Sequence, residues 1–323
     1  MDKVNYSFVI PCYNSEKTIG FIVEQIINAV QKYNLGKYEI ILVNDASTDN
    51  TWNVIYSLAA QNSSITAINF SKNFGQHSAI ISAFRESSGE YIVGLDDDGE
   101  HSPDDVMILI SEIKKSGYDY VCGKYKKKKD SAFRNLGTKF NNLMASILIG
   151  KPKEVEFSSY YIMRRFLVDE IIKYNGPYPY IAGLVLRATK KVGMVEMPKH
   201  ERISGSSGYN LVKLLRLWLN GFTAFSVKPL RIATVLGILC AFIGFVFGAI
   251  TIIRKIMNPD ILMGYSSLMA VLLFIGGMIM VMLGMVGEYI GRIYICINNS
   301  PQYVIRETIS IKQNDEEKAY EKN

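Results

Sequence analysis

The first 125 residues alternate short β-rich runs with amphipathic stretches, and this order restricts the fold more than any other feature of the chain. Parallel strands need a crossover connection, and helices usually supply it. The alternation therefore predicts an α/β fold with a mostly parallel sheet and helices on both faces. The predicted strands are 7–10, 39–43, 65–70, 91–95 and 118–121, and the predicted helices are 16–33, 48–60, 76–87 and 103–115.

Two long uncharged runs lie in the last third of the chain. Ile232–Ile253 has 22 residues and Leu268–Val286 has 19. Since a helix of about 20 apolar residues crosses the hydrocarbon core of a bilayer, both runs are candidate spans. The connection 254–267 is short, so we expect an antiparallel transmembrane hairpin. More positive charge precedes the first run than lies in the connection, which predicts that both ends of the hairpin are cytoplasmic.

The residues before the first apolar run favour contact with the membrane surface. In 209–222 the polar residues recur at helical spacing, and leucines and Trp218 fill most other positions. A helix packed on a soluble core would show the same pattern, but cations directly before a spanning segment favour an interfacial helix. The predicted division is an α/β domain (1–205), interfacial amphipathic helices (206–230), a transmembrane hairpin (231–297) and a cytoplasmic tail (298–323).

Charge and cysteine usage restrict the class of protein. The formal net charge is +6, and the basic cluster at Lys124 and 126–129 is equally typical of a solvated loop and of a phosphate contact. No recognition motif accompanies the charge, so nucleic-acid binding is not expected. The cysteines are widely spaced and no signal peptide precedes the first strand, which predicts reduced thiols in a cytoplasmic domain. We interpret His77 and His101 as polar groups at helix starts.

Three consecutive carboxylates, Asp96, Asp97 and Asp98, follow the apolar run 91–95. Open α/β sheets bind their ligands at the carboxyl ends of the strands, where this triplet is expected to lie. Like charges this close repel unless something neutralises them. A hard divalent cation shared with a diphosphate is the expected partner, because such cations prefer oxygen ligands.

Three other strands also end in polar residues, at 11–16, 43–49 and 71–77. A motif of this kind alone would indicate a capped turn, but the convergence of these motifs on one edge favours a nucleotide site. Asp45 could accept a hydrogen bond from a base N–H, and Gly75 permits close approach of the backbone.

These motifs resemble those of family 2 glycosyltransferases, which have the Rossmann-like GT-A fold. The matching blocks are Pro-Cys-Tyr-Asn with Glu16, Val-Asn-Asp-Ala-Ser-Thr-Asp at 43–49, Asn-Phe-Gly at 73–75, and the Asp-x-Asp metal motif at 96–98. In the second half, Gly-Ser-Ser-Gly-Tyr at 205–209, Pro-Leu-Arg at 229–231 and the motif at 287–294 resemble the polyprenyl-phosphate glycosyltransferases. That group includes dolichol-phosphate-mannose synthase and the GtrB and ArnC enzymes.

The resemblance implies a role for each matching residue. Asp45 would bind the base, and Arg202 and Arg134 would contact phosphates, the latter from a mobile acceptor loop at 124–134. Asp96, Asp98 and Glu100 would bind Mg²⁺ or Mn²⁺, and Glu100 replaces the glutamine that is usual in the family. Gly208 stands where many relatives have a lysine. The implied nucleotide contacts are Pro11, Tyr13, Asn14, Glu16, Asp45, Asn73, Gly75, Asp96 and Asp97.

The resemblance also implies an activity and a location. We expect an inverting, metal-dependent transfer of a sugar from a nucleotide sugar, a UDP-sugar in the first instance, to undecaprenyl phosphate at the cytoplasmic face of a bacterial inner membrane. A homo-oligomer is expected, as tetramers occur in some relatives. A processive polysaccharide synthase is the alternative enzyme, but its Gln-x-x-Arg-Trp motif and additional spans are absent from the sequence. The remaining alternative is a membrane scaffold that retained a nucleotide-sugar fold without catalysis.

Overall fold

The computed structural model describes residues 4–125, 155–198, 228–258, 264–298 and 300–311. These residues form two compact units. The first unit contains 4–125, 155–198 and 300–311, and the second contains 228–258 and 264–298.

An eight-stranded sheet forms the centre of the first unit. The strands are β1 Tyr6–Cys12, β2 Tyr38–Asn44, β3 Ile65–Phe70, β4 Tyr91–Gly94, β5 Tyr120–Tyr125, β6 Tyr161–Arg164, β7 Val192–Met197 and β8 Ile305–Ile309. Their order in the sheet is β7-β5-β6-β4-β1-β2-β3-β8. The middle strands, β3, β2, β1 and β4, pair in parallel, while β6 and β8 are antiparallel to their neighbours. Strand β7 pairs in parallel with β5.

Helices pack on this sheet. Consecutive residues of β1 and β2 are buried, which requires cover on both faces, as in other parallel sheets. The apolar stripe of α1 supplies part of that cover through its buried Ile, Val and Ala residues. The helices of this unit are α1 Ile19–Lys32, α2 Thr51–Gln61, α3 Gln76–Glu86, a 3₁₀ turn Pro103–Asp105 that leads into α4 Val106–Ser116, α5 Arg165–Ile171 and α6 Ile181–Ala188.

The structure confirms the α/β fold with a mostly parallel sheet, and it differs from the sequence analysis in three places. Strand β5 begins at Tyr120 and includes Lys124, so the predicted acceptor loop does not begin there. Strands β6 and β7 were not predicted, because neither Tyr-Ile-Met-Arg nor Val-Gly-Met-Val-Glu-Met shows a clear period-two pattern. The prediction of a tail from residue 298 is wrong as far as β8, because this strand completes one edge of the sheet.

The second unit contains two long apolar helices, α7 Lys228–Met257 and α8 Tyr265–Ile297. Each contains a segment apolar and long enough to cross a membrane, Ala233–Ile250 with mean hydropathy 2.4 and Phe274–Ile297 with 1.6. Helix α8 continues beyond the predicted run to Ile297, and in this part Glu288 and Arg292 pair with each other one turn apart. The predicted interfacial helix at 209–222 lies outside the described residues.

Candidate functional site

Four loops follow the carboxyl ends of the four central strands. They are 13–18 after β1, 45–50 after β2, 71–75 after β3 and 95–102 after β4. Hydrogen bonds connect each loop to its neighbours, and the last loop connects back to the first. We call these four loops, with Gln76 at the start of α3, the loop ring. Its position is the one at which open α/β sheets bind ligands.

The loops after β1 and β2 are joined by reciprocal hydrogen bonds. The backbone N–H of Asn14 donates to Ser47 Oγ at 3.0 Å, and the N–H of Thr48 donates to Asn14 Oδ1 at 2.9 Å. Two residues further on, the N–H of Asn50 donates to Glu16 Oε2 at 3.0 Å. The side chains of Asn14 and Glu16 are therefore braces between two loops, in addition to any contact with a ligand.

Asp45 joins the loops after β2 and β3. Its side chain is only 3% exposed, and its two oxygens accept the N–H groups of Phe74 at 2.7 Å and Gly75 at 2.8 Å. Asn73 Nδ2 donates to the Asp45 carbonyl oxygen at 3.2 Å. Burial raises the pKa of Asp45, and the two N–H donors oppose that shift. This carboxylate fixes the loop after β3, and each of its oxygens keeps a lone pair for a further donor.

The loop after β4 closes the ring on both sides. Gln76 Nε2 donates to Asp96 Oδ1 at 2.7 Å, which joins this loop to the start of α3. On the other side, the N–H of Tyr13 donates to Asp97 Oδ2 at 2.9 Å, and Thr18 Oγ1 donates to the Asp97 carbonyl at 2.6 Å. The Tyr13 side chain itself is 49% exposed and remains available to stack on a ligand.

Four residues of the loop ring have a left-handed backbone. Asn14, Ala46, Gly75 and Gly99 have positive φ values of 54°, 53°, 90° and 74°. Asparagine and glycine adopt this region at little cost, but alanine does not, and such strain persists only where surrounding contacts enforce it. Nothing lies within 4 Å of the position that a Gly75 Cβ would take, so the space above this backbone is open.

Pro11 lies in β1 at the point where the sheet opens. The carbonyl of Val9 accepts the Leu95 N–H, and pairing between β1 and β4 ends there. Side-to-side bonding alternates along a strand, so the missing N–H of Pro11 faces the side on which β4 has already left the sheet. The proline therefore breaks no ladder hydrogen bond at the entrance to the loop ring.

The three aspartates have different partners. Asp96 contacts Gln76, Asp97 contacts Tyr13, and Asp98 Oδ1 accepts the N–H of Glu100 at 2.9 Å. Burial raises the pKa of Asp96, and the neighbouring charges of Asp98 and Glu100 raise it further. Burial raises the pKa of Asp97 to about 6. The site thus concentrates negative charge, which a cation would stabilise.

The donor chemistry of this loop fits a hard divalent cation. No group of three or more His, Cys, Asp or Glu side chains within the described part of the chain is arranged to hold a metal by itself. Mg²⁺ sites, however, often use only one or two carboxylates and take their remaining ligands from substrate phosphates and water. Asp96 and Asp98 would supply such carboxylates.

His101 is a site residue that the sequence analysis missed. Its side chain is 6% exposed, with Nδ1 2.6 Å from the Tyr125 hydroxyl and Nε2 3.0 Å from Ser159 Oγ. Its ring stacks on Tyr125 and Tyr160, and Nε2 lies 3.9 Å from Asp96 Oδ2. Its interpretation as a polar group at a helix start was incomplete, because its partners Tyr125 in β5 and Ser159 in the segment before β6 are distant in sequence.

Two predicted phosphate contacts, Arg134 and Arg202, lie outside the described residues, as does Gly208. The remaining predicted residues converge on the loop ring and the end of β1. Gln76 and Ser159 were not predicted as site residues, although the position of Gln76 directly after the glycine that ends a loop was a usable signal.

Comparisons with known proteins agree with this geometry. Residues 7–172 match the family described as Glycosyl transferase family 2, and residues 228–293 match the GtrB C-terminal hairpin. The chain is 30% identical over 312 residues to the uncharacterized glycosyltransferase YkcC of Bacillus subtilis, covering 96% of this chain and 95% of the relative.

This chain is also 30% identical over 316 residues to the undecaprenyl-phosphate 4-deoxy-4-formamido-L-arabinose transferase of Proteus mirabilis. The match covers 97% of this chain and 96% of the relative. A solved structure of glucosyl-3-phosphoglycerate synthase from Mycobacterium tuberculosis, with Mn²⁺, UDP-glucose and phosphoglyceric acid, has a TM-score of 0.45 and 18% identity, over 62% of this chain and 73% of that one.

Proposed function

This chain belongs to glycosyltransferase family 2, and we propose that it moves a sugar from a nucleotide diphosphate sugar, a UDP-sugar in the first instance, to undecaprenyl phosphate. The observation that carries the donor side is the loop ring, which gathers Tyr13, Asp45, Gly75 and the acidic loop at one edge of the sheet. The acceptor is proposed from the relatives, since the transferase of Proteus mirabilis is named for undecaprenyl phosphate and matches nearly the whole chain.

The nucleotide would bind across the loops after β1, β2 and β3. The exposed ring of Tyr13 offers a stacking face for the base, and Asp45 offers its remaining lone pairs to a base N–H. The open space above Gly75 lets the ligand approach the backbone closely. These loops are held in place by the hydrogen bonds of Asn14, Glu16, Asn73 and Asp97. Their conformation therefore does not depend on a bound ligand.

The diphosphate would lie beside the loop after β4. Asp96 and Asp98, with Glu100 nearby, would hold Mg²⁺ or Mn²⁺, which would offset the charge that develops on the departing nucleoside diphosphate. His101 and Gln76 keep Asp96 in position. Arg134 and Arg202 are proposed as further phosphate contacts on the strength of their sequence motifs.

The acceptor needs little activation. The second pKa of a phosphate monoester is about 6, so the lipid phosphate is largely dianionic near neutral pH and can attack the anomeric carbon directly. The enzyme then contributes orientation of the nucleophile in line with the leaving group, and a single displacement of this kind inverts the anomeric centre. The phosphate oxygen forms the new bond as the bond from the anomeric carbon to the nucleoside diphosphate breaks.

The location follows from the acceptor and the second unit. Helices α7 and α8 would span the inner membrane as a hairpin with both ends cytoplasmic, so that the α/β domain meets the donor in the cytoplasm. The interfacial assignment of 206–230 and assembly into a homo-oligomer, such as a tetramer, are part of this proposal.

The decisive experiment combines binding with transfer in detergent. Purified protein is titrated with UDP in the presence and absence of Mn²⁺, and then supplied with UDP-, GDP- and dTDP-sugars and a short polyprenyl phosphate. We expect UDP binding that requires Mn²⁺ and is reversed by EDTA, followed by formation of a lipid-phosphate sugar. Transfer to a polysaccharide chain would support a processive synthase instead, and absence of both binding and transfer would support a scaffold.

A further inference from the structure

Residues 300–311 follow α8 in the sequence and belong to the first unit, where they run along the outer side of β3. Strand β8 pairs antiparallel with β3, with Glu307 opposite Asn69 and Ile305 opposite Phe70. The N–H of Ser71, the first residue of the loop after β3, donates to the Val304 carbonyl at 2.9 Å. This segment therefore contacts the loop ring at the point where β3 enters it.

An aromatic series leads from this segment to Asp45. The ring of Tyr303 stacks on Phe70 with centroids 5.1 Å apart and planes 9° apart. Phe70 in turn contacts the edge of Phe74 at 5.7 Å, and the N–H of Phe74 donates to Asp45. Stacked and edge-to-face rings are favoured geometries, so Tyr303 braces the residue whose amide Asp45 binds.

Arg85 fixes Tyr303 from the other side. Its guanidinium lies 5.3 Å from the Tyr303 ring centroid, and Nη1 donates to the Tyr303 hydroxyl at 2.8 Å. Its Nη2 donates to Asn175 Oδ1 at 2.8 Å, and Gln302 Nε2 donates to the carbonyl of Gly176 at 2.8 Å. The segment thus also holds the loop that precedes α6.

A buried polar series leads from β8 to the first two loops of the ring. Asn69 Nδ2 donates to Glu307 Oε1 at 3.3 Å, and Asn44 Nδ2 donates to Asn69 Oδ1 at 2.9 Å. Asn44 Oδ1 accepts from Ser47, whose hydroxyl also accepts the N–H of Asn14. Asn44 and Asn69 are 2% and 7% exposed, so this series lies within the fold and its members depend on one another.

We propose that the segment 302–307 is a positioning element for the donor site: without contacting the substrate, it holds the loop ring in the conformation that binds the nucleotide. This inference rests on the proposed function. The strained backbone at Ala46 needs enforcement by neighbouring contacts, and Tyr303 and Glu307 supply it from the two ends of the segment. A looser ring would bind the donor less well, whereas binding of the acceptor would change little.

The test compares Tyr303→Ala with Tyr303→Phe, which keeps the ring, and with Arg306→Ala, a change at an exposed position of β8 three residues further along the chain. UDP affinity is measured with Mn²⁺ in detergent, together with thermal stability, kcat and the KM for each substrate. An aromatic pair contributes enough to weaken UDP binding and raise the donor KM by about three- to tenfold in Tyr303→Ala. The acceptor KM is expected to stay within about twofold, and Arg306→Ala to behave like the wild type. Tyr303→Phe keeps the stacked ring and loses the hydrogen bond from Arg85, so its effect should be clearly smaller than that of Tyr303→Ala.

Glu307→Ala provides a second variant from the other end of the segment, and we expect a smaller loss of UDP affinity in the same direction. If Tyr303→Ala does not fold, the comparison of Glu307→Ala with Arg306→Ala decides the matter. A variant that loses thermal stability but keeps its UDP affinity and donor KM would overturn the proposal, since the segment would then be structural only. If the wild type neither binds UDP nor transfers sugar, the proposed function fails as well; if it does both and the variants match Arg306→Ala, only this inference fails.

Discussion

The loop ring and the helical hairpin are held together in different ways. In the ring, directional hydrogen bonds from Asn14, Asp45, Gln76 and Asp97 connect loops that are distant in sequence. Within the described part of the hairpin, the one ion pair joins Glu288 and Arg292 in α8. The other surfaces of the two helices are mostly apolar and include small residues such as Gly237. Polar substitutions should therefore be costly in the ring, whereas charge removal in the hairpin should be tolerated.

The largest effect is expected at the acidic loop. Asp98→Asn keeps the size of the side chain but removes a charge that would hold the metal, and we expect transfer to fall by about a thousandfold, the scale of losing a preorganised electrostatic contact. Mn²⁺-dependent UDP binding should weaken in parallel, while the melting temperature stays close to that of the wild type. Asp104→Asn, which removes an exposed partner of Lys32, is the matched control. Normal turnover in Asp98→Asn would refute the metal assignment.

Asp45→Ala tests the buried side of the ring. The substitution leaves the N–H groups of Phe74 and Gly75 without their acceptor, and we expect a loss of about 3 kcal/mol in the free energy of unfolding, because each charge-assisted bond contributes about 1.5–3 kcal/mol. Chemical denaturation of the detergent-solubilised protein measures it. Asp169→Asn, which breaks an exposed ion pair with Arg165, should cost less than about 1 kcal/mol. Equal losses in the two variants would mean that the ring is not a site of special sensitivity.

His77, the second residue of α3, is expected to make the stability of the protein depend on pH. Burial lowers its pKa from 6.5 to about 4, and its Nδ1 has no hydrogen-bond partner in the described structure. Between these pKa values the unfolded chain binds more protons than the folded one, so stability falls as the pH falls through this window. From pH 7 to pH 5 we expect a loss of about 2 kcal/mol, from 1.36 kcal/mol per pKa unit.

His77→Phe keeps a ring against Tyr180 and removes the titrating group. The difference between the denaturation midpoints at pH 7 and pH 5 should then be smaller in His77→Phe than in the wild type. An unchanged pH dependence in His77→Phe would assign it to other groups.

The smallest effect is expected in the hairpin. Glu288→Gln removes the partner of Arg292, and an i,i+4 pair of this kind contributes only about 0.3–0.5 kcal/mol. The melting temperature in detergent should change by no more than about 2 °C, given the usual relation between free energy and melting temperature. A loss comparable to that of Asp45→Ala would show that the hairpin depends on its polar contacts as strongly as the ring does.

The sequence predicts the fold better than the contacts within it. Strands β1 to β4 are recognisable because buried parallel strands read as continuous apolar runs, and α7 and α8 because their length and hydropathy leave few alternatives. Strands β6, β7 and β8 lack a continuous apolar run and pair with partners far along the chain, so no local pattern marks them. The periodicity of apolar residues and the composition of a segment indicate which side chains are buried. They do not indicate which distant strand the segment pairs with.

The site shows the same limit. Its residues were predicted because loops after parallel strands share an edge, and the resemblance to known motifs pointed to the same residues. The hydrogen-bond partners of Asp45, Asn14 and Asp97 could not be predicted. The N–H groups that these side chains accept belong to other loops, and only the folded sheet determines how far apart those loops lie. His101 was underestimated for the same reason: its partners Tyr125 and Ser159 are 24 and 58 residues away.

The addition of β8 changes what the sheet presents to other molecules. An exposed edge strand can pair with a strand of a neighbouring chain. Without β8, β3 would be such an edge strand, and its mostly buried apolar residues would favour this pairing. Strand β8 shields it and substitutes an outer strand of five residues that carries Arg306 and Glu307 at exposed positions. Short charged edge strands discourage intermolecular β-pairing, so Arg306 and Glu307 are expected to reduce edge-to-edge pairing between copies of this chain.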